Sequence, residues 1–185
     1  ITSITGKGEQ IWIGTKKGLF NYNYATGLVA EYSIQKGGLP HNFVNYLYID
    51  RTGRLWVGTA SNTLMYIQDE RVVKVPLNSG SEILTITEDN DSQIWVGTNG
   101  NGVFLIGSDS IANLTANERL LTNYCYSLIC DAKDNIWVGH KGGLSRIRKM
   151  DFAVKPIQNM EGITDTYQFY PNAITKDQKG KIWFG

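Results

Sequence analysis

The chain has 185 residues, 42% of them apolar and 11% aromatic, which is ample for a packed core and excludes a disordered segment. Eighteen Lys and Arg stand against seventeen Asp and Glu, giving a net charge of +1. No basic stripe or like-charge block breaks this balance, which argues against nucleic acid as a partner. No secretory leader and no apolar run long enough to span a bilayer as a helix is visible.

Short alternating runs bounded by Gly, Asn and Pro predict strands throughout. The first group is Ile1–Ile4, Ile11–Thr15, a strand starting at Gly18, and Leu28–Ile34. The second is Phe43–Ile49, Arg54–Thr59, Thr63–Ile67 and Arg71–Leu77, and the third Glu82–Thr87, Gln93–Thr98, Gly102–Ile106 and Ser110–Leu114. Thr115 and Glu118 have the spacing of a capping box, but a plain loop is the expected connection there. The fourth group is Tyr124–Cys130, Asn135–Gly139, Gly143–Ile147 and Phe152–Ile157, and Gln168–Thr175 with Lys181–Gly185 begins a fifth.

One pentapeptide sits in every group: Ile11-Trp12-Ile13-Gly14-Thr15, Leu55-Trp56-Val57-Gly58-Thr59, Ile94-Trp95-Val96-Gly97-Thr98, Ile136-Trp137-Val138-Gly139-His140 and, incomplete, Ile182-Trp183-Phe184-Gly185. The tryptophans are 44, 39, 42 and 46 residues apart. Four short strands per period of about 40–45 residues predict an all-β fold, a β-propeller of antiparallel four-stranded blades. The blade-like repeats fall at roughly 1–36, 37–78, 79–118, 119–162 and 163–185. That makes about four and a half blades, so the expectation is a piece of a larger propeller. Its uncovered blade edges would favour self-association.

An Asp precedes Trp by six residues in four copies, as Asp50, Asp89, Asp131 and Asp177. Placed at the head of a tight turn, each is expected to accept backbone N–H groups, and on separate blades the four do not converge as a metal or acid–base site. The tryptophans, each able to bury on the order of 200 Å², are expected in equivalent buried positions between blades. The Gly that follows suits close approach of a neighbour. Cys125 and Cys130, five apart on one strand, would lie roughly 16 Å from one another, too far to bridge. Free buried thiols are expected.

The runs Leu39-Pro40-His41-Asn42-Phe43-Val44, Asp50 to Thr59 and His140-Lys141-Gly142-Gly143-Leu144 resemble the two-component regulator propeller repeat. That family forms the extracytoplasmic sensor region of bacterial hybrid two-component regulators, best known from glycan-sensing Bacteroidetes. The resemblance implies a periplasmic sensing region, a membrane-anchored dimeric parent carrying kinase activity elsewhere, and an oligosaccharide ligand. Lys7 replaces the turn Asp in the first copy, His140 replaces Thr in the fourth, and Asn62-Thr63 replaces Gly-Gly in the second.

No catalytic constellation, cofactor motif or metal cluster is legible, and His41 and His140 lie about two repeats apart. The chain is therefore read as non-enzymatic, with a protein-interaction scaffold and a streptogramin-lyase-like propeller as alternatives. In a four-stranded blade, the loop leading into the first strand and the turn between strands two and three open at the same end. That end collects Lys16, Lys17, His41, Asn42, Asn62, Asn99, Asn101, Asn123, Tyr124, His140 and Lys141, with Tyr167, Phe169 and Tyr170 nearby. Amides, ammonium groups and aromatic rings suit a saccharide, so these are the candidate ligand-binding residues.

Overall fold

A computed structural model describes residues 1–108, 110–141, 143–157 and 174–184 of the chain. Four antiparallel four-stranded sheets follow one another along the sequence, each with consecutive strands as neighbours. The first contains β1 (Ser3–Lys7), β2 (Gln10–Thr15), β3 (Gly18–Asn23) and β4 (Val29–Tyr32). The second contains β5 (Val44–Ile49), β6 (Leu55–Thr59), β7 (Leu64–Gln68) and β8 (Arg71–Val75). The third contains β9 (Ile83–Glu88), β10 (Ile94–Thr98), β11 (Val103–Ile106) and β12 (Ile111–Leu114), and the fourth β13 (Ser127–Cys130), β14 (Asn135–His140), β15 (Gly143–Arg148) and β16 (Ala153–Ile157). A further pair is formed by β17 (Ile174–Lys176) and β18 (Ile182–Phe184). The strand expected at Gln168–Thr175 and the rings of Tyr167, Phe169 and Tyr170 fall largely or wholly outside the described residues. The chain divides into two compact units, Ile1–Ile86 and Thr87–Gly185, with the division inside β9.

The hairpin between the first two strands of a sheet is built on its Asp. Asp89 Oδ1 accepts the backbone N–H groups of Asp91 and Gln93 at 2.9 and 3.0 Å, and Oδ2 accepts the indole N–H of Trp95 at 2.8 Å. Asp131 and Asp177 repeat the arrangement, with indole bonds of 2.9 Å from Trp137 and 3.0 Å from Trp183. Asp50 accepts from Trp56 at 2.8 Å, with Thr52 Oγ1 taking the place of one backbone donor. The residue three after each Asp has a positive φ: 90° at Gly53, 62° at Ser92, 61° at Asp134 and 78° at Gly180. The expected backbone capping is present, and the indole bond adds a tie to the neighbouring strand.

The first copy departs from this plan. Lys7 pairs with Gln10 across a turn one residue shorter than in the other copies, so Lys7 occupies the Asp place and Trp12 lacks a carboxylate partner. Tryptophan burial is correspondingly graded rather than equivalent. Trp56 and Trp95 are 3% and 0% exposed, Trp12 and Trp137 are half-buried, and Trp183 is 52% exposed. Trp95 is fully buried and belongs to one core cluster with Leu120, Cys125, Leu128, Ile136 and Ile147, and Phe152 lies 6.4 Å away between ring centroids. In the first unit, Leu19, Val44, Leu47, Val57, Met65 and Ile67 form the matching core, with Trp12 and Tyr32 packed against it. The motif Gly lets the sheets close up: a Cβ on Gly14 would come within 2.8 Å of Val44 Cγ1.

The segment after β12 is not the plain loop that was expected. Ala116–Glu118 is a 3₁₀ helix with a complete capping box: Thr115 Oγ1 accepts from Asn117 N–H at 3.1 Å, and the Glu118 carboxylate accepts from Thr115 N–H at 2.7 Å. The reciprocal bonds satisfy donors that a short turn would otherwise leave open. Cys125 and Cys130 are free and buried, and burial pushes both thiols up to about 12.

Because Asp89 is fully buried and serves two amides and an indole, Asp89→Ala orphans several donors at once. A loss of about 3 kcal/mol is expected in equilibrium urea unfolding. A loss below about 1 kcal/mol would show that the turn holds without its carboxylate.

Candidate functional site

At the end of each sheet away from the Asp hairpins, the expected site residues divide between the two units. In the first, Lys16 and Lys17 are exposed on the β2–β3 turn, and Lys16 Nζ stands 5.4 Å from the centre of the Phe43 ring. His41 is half-buried, its Nδ1 accepting from Phe43 N–H at 3.2 Å. Asn42 accepts from Ile34 N–H at 2.8 Å and donates to Gln35 Oε1 at 3.1 Å, so its amide is used to shape the loop. Asn62 is exposed with φ 60°, the conformation its turn demands.

The second unit gathers its residues more closely. Asn99 and Tyr124 face one another as an isolated antiparallel bridge. Gly100 and Gly102 both donate to the Asn123 carbonyl, at 3.2 and 2.9 Å, and Cys125 N–H donates to Thr98 at 3.0 Å. These bonds hold the β10–β11 turn, with Asn99 and Asn101, against the loop leading into β13. Asn123 Oδ1 accepts from Ala116 N–H at 2.7 Å, tying the 3₁₀ helix to the same place. Tyr124 is 51% exposed, Asn99 and Asn101 are exposed, and Lys141 is exposed on the β14–β15 turn.

His140 has another role from the one expected. It has no exposed surface, so it offers nothing to a ligand from outside. Nδ1 lies 2.9 Å from the Tyr124 carbonyl and 3.2 Å from Thr122 Oγ1, and Nε2 lies 3.0 Å from Ser145 Oγ. A carbonyl only accepts, so Nδ1 carries the proton and Nε2 accepts from the Ser145 hydroxyl. Ser145 Oγ in turn accepts from Leu121 N–H at 2.9 Å. Burial lowers the imidazole to about 4, leaving it neutral near pH 7. His140 thus positions the loop that presents Tyr124. Thr122 and Ser145, which complete this network, carry no mark in the sequence.

At the hairpin end of the same unit, Lys149 lies 2.9 Å from Asp89, 2.7 Å from Asp91 and 3.1 Å from Asp134. Burial works against this ammonium, but the three carboxylates raise it above the ordinary lysine range. Lys149 thereby joins two neighbouring hairpins of this unit. Among the described residues, no group of three His, Cys, Asp or Glu is placed to hold a metal ion.

The repeated Asp–Trp hairpin in four-stranded sheets can be set beside known proteins. Residues 38–61 and 76–100 match the family described as two component regulator propeller. These are two-component regulator propeller repeats. The histidine kinase P4 of Formosa agariphila is 30% identical over 149 residues, which are 72% of this chain and 11% of that protein. The crystal structure of the extracellular domain of the hybrid two component system BT3049 from B. thetaiotaomicron superposes with a TM-score of 0.84 at 26% identity, over 98% of this chain and 26% of that one. Virginiamycin B lyase from Staphylococcus aureus gives a TM-score of 0.79 at 21% identity, over 99% of this chain and 62% of that one, which is a likeness of fold. The chain therefore spans a small part of the two-component relatives that it matches. Among the described residues, no helix of the propeller repeats is long and apolar enough to cross a membrane.

His140 binds its proton more weakly folded than unfolded, so its neutral form favours the fold. That contribution is complete above pH 6.5 and is lost as pH falls towards 4. It amounts to about 3 kcal/mol. His140→Thr, which restores the residue of the first three copies, is expected to flatten the stability profile between these pH values in urea titrations. An unchanged slope would place the acid sensitivity elsewhere.

Proposed function

We propose that the chain is the extracytoplasmic ligand-sensing segment of a hybrid two-component signalling protein, held in the periplasm by a membrane-anchored parent. The observation that carries this reading is the likeness to the extracellular domain of such a system over 98% of the chain, at a TM-score of 0.84. The match to a histidine kinase and the two-component regulator repeats support the same assignment. The segment itself binds and does not catalyse; the streptogramin-lyase resemblance rests on fold alone.

The ligand proposed is a carbohydrate, bound at the turn end of the second unit. Tyr124 offers an exposed ring for a pyranose face, Asn99 and Asn101 offer amides beside it, and Lys141 can pair with a uronate or sulfate. The Tyr124 side chain can be removed without touching the carbonyl that His140 holds.

Calorimetric titration of the chain with neutral and acidic oligosaccharides tests this reading. Tyr124→Ala with Lys141→Ala is expected to weaken binding of the best oligosaccharide at least tenfold while the melting midpoint moves by no more than about 2 °C. If no oligosaccharide binds, or if the double variant binds as well as the unsubstituted chain, the carbohydrate site is not there.

A further inference from the structure

At the hairpin end of the first unit, an open cleft of about 320 Å³ separates the first and second sheets. Trp12 and Tyr32 form one wall, their ring centroids 5.5 Å apart and their planes tilted by 47°. Asp69 and Glu70, which turn the chain between β7 and β8, stand on the rim with Gln10, Gln68 and Lys7. Trp12 has no Asp beneath it, and its indole N–H has no hydrogen-bond partner among the described residues.

The second unit shows how a repeat of this kind closes the same place. There Lys149, immediately after β15, reaches Asp89 at 2.9 Å, and Asp89 holds the indole of Trp95. In the first unit both charges are exchanged: Lys7 stands in the Asp place, and Asp69 immediately follows β7. The exchanged charges do not close the cleft, because Lys7 makes no ion pair with Asp69 or Glu70. Its ammonium lies instead against Gly53, 3.6 Å from where a Cβ on that residue would be. Glu70 faces the aromatic wall: burial first, and then its charge, raise the Tyr32 phenol.

The two carboxylates are not what the turn itself favours. Asp69 and Glu70 both have positive φ, 48° and 64°. A two-residue hairpin turn of that kind is most readily made by Asn-Gly.

We infer that this cleft binds a hexosamine with a free amino group. The indole face and Tyr32 ring suit the apolar face of a pyranose and the charge of an ammonium together. Gln10 and Gln68 supply amide donors and acceptors for hydroxyls, and the unbonded indole N–H supplies another donor. Asp69 and Glu70 receive the ammonium in charge-assisted hydrogen bonds. With Lys7 counted, the charged rim keeps a net charge of −1, which selects a cation over a neutral or acidic sugar. This cleft lies in the first unit at the hairpin end, whereas the carbohydrate site proposed above lies in the second unit at the turn end.

The test follows the Trp12 indole N–H resonance of the ¹⁵N-labelled chain, assigned with Trp12→Phe, during titration with glucosamine, glucose and N-acetylglucosamine. Glucosamine is expected to shift this resonance and to bind at least tenfold more tightly than either other sugar. Asp69→Asn with Glu70→Gly installs the favoured turn, so it should keep or raise the melting midpoint while abolishing the preference. Glu70→Gln, which keeps the side-chain shape, should lose most of it. Tyr124→Ala with Lys141→Ala should leave glucosamine binding at Trp12 unchanged, separating this site from the other. Equal binding of the three sugars, a silent Trp12 resonance, or a preference that survives in the Asn-Gly variant would overturn the proposal.

Discussion

The fold depends on a carboxylate placed where its two oxygens have different duties. One oxygen of each turn Asp closes the hairpin by accepting two donors, both backbone N–H groups except at Asp50, where the Thr52 hydroxyl is one of them, and the other oxygen fixes the indole of the Trp six residues on. A charge buried as deeply as Asp89 is costly unless it is fully hydrogen-bonded, and a buried indole N–H needs an acceptor. Each requirement satisfies the other. Because the indole is held at a set height on the second strand, the apolar face against which the next sheet packs is set with it. Asp50 and Asp131 show the electrostatic consequence: burial alone would raise them, but their hydrogen bonds hold both below the ordinary carboxylate range. Such groups stabilise the fold above the unfolded carboxylate pKa and lose that contribution as pH falls through the folded value.

The informative positions are those where a copy breaks this rule. In the first copy Lys7 replaces the carboxylate, Trp12 loses its partner, and a cleft opens beside it. In the fourth copy His140 replaces the Thr that elsewhere ties its own turn, as Thr98 does by donating to the Gly102 carbonyl at 2.8 Å. The larger side chain reaches further and holds the loop that carries Tyr124. Local departures from a repeated solution are where a repeat protein has room for function, since the remaining copies preserve the fold.

Strand order and repeat length were legible in the residues because the motif places Trp, an apolar pair and Gly on the same strand every time. Strand ends were less so. The run predicted as Tyr124–Cys130 is a strand only from Ser127, because Tyr124 and Cys125 pair with Asn99 and Thr98 rather than with β14. The backbone half of the Asp role could be read from turn chemistry, but the indole half depends on a side-chain orientation on the next strand. His140 read as a surface group because its burial depends on Thr122 and Ser145, one of them 18 residues away. The cleft was hidden for the same reason: Lys7 was visible as an exception, while its proximity to Asp69 and Glu70 follows only from the packing of the first sheet on the second.

The hydrogen-exchange rates of the five indole N–H groups test this account most directly, because each reports its own acceptor and burial. Trp95 and Trp56, buried and bonded to Asp89 and Asp50, should exchange slowest. Trp183, bonded but exposed, should exchange far faster, and Trp12, with no carboxylate in its copy, should be fast as well. A Trp12 indole as protected as that of Trp95 would contradict the claim that the Asp carboxylate is what secures the repeat.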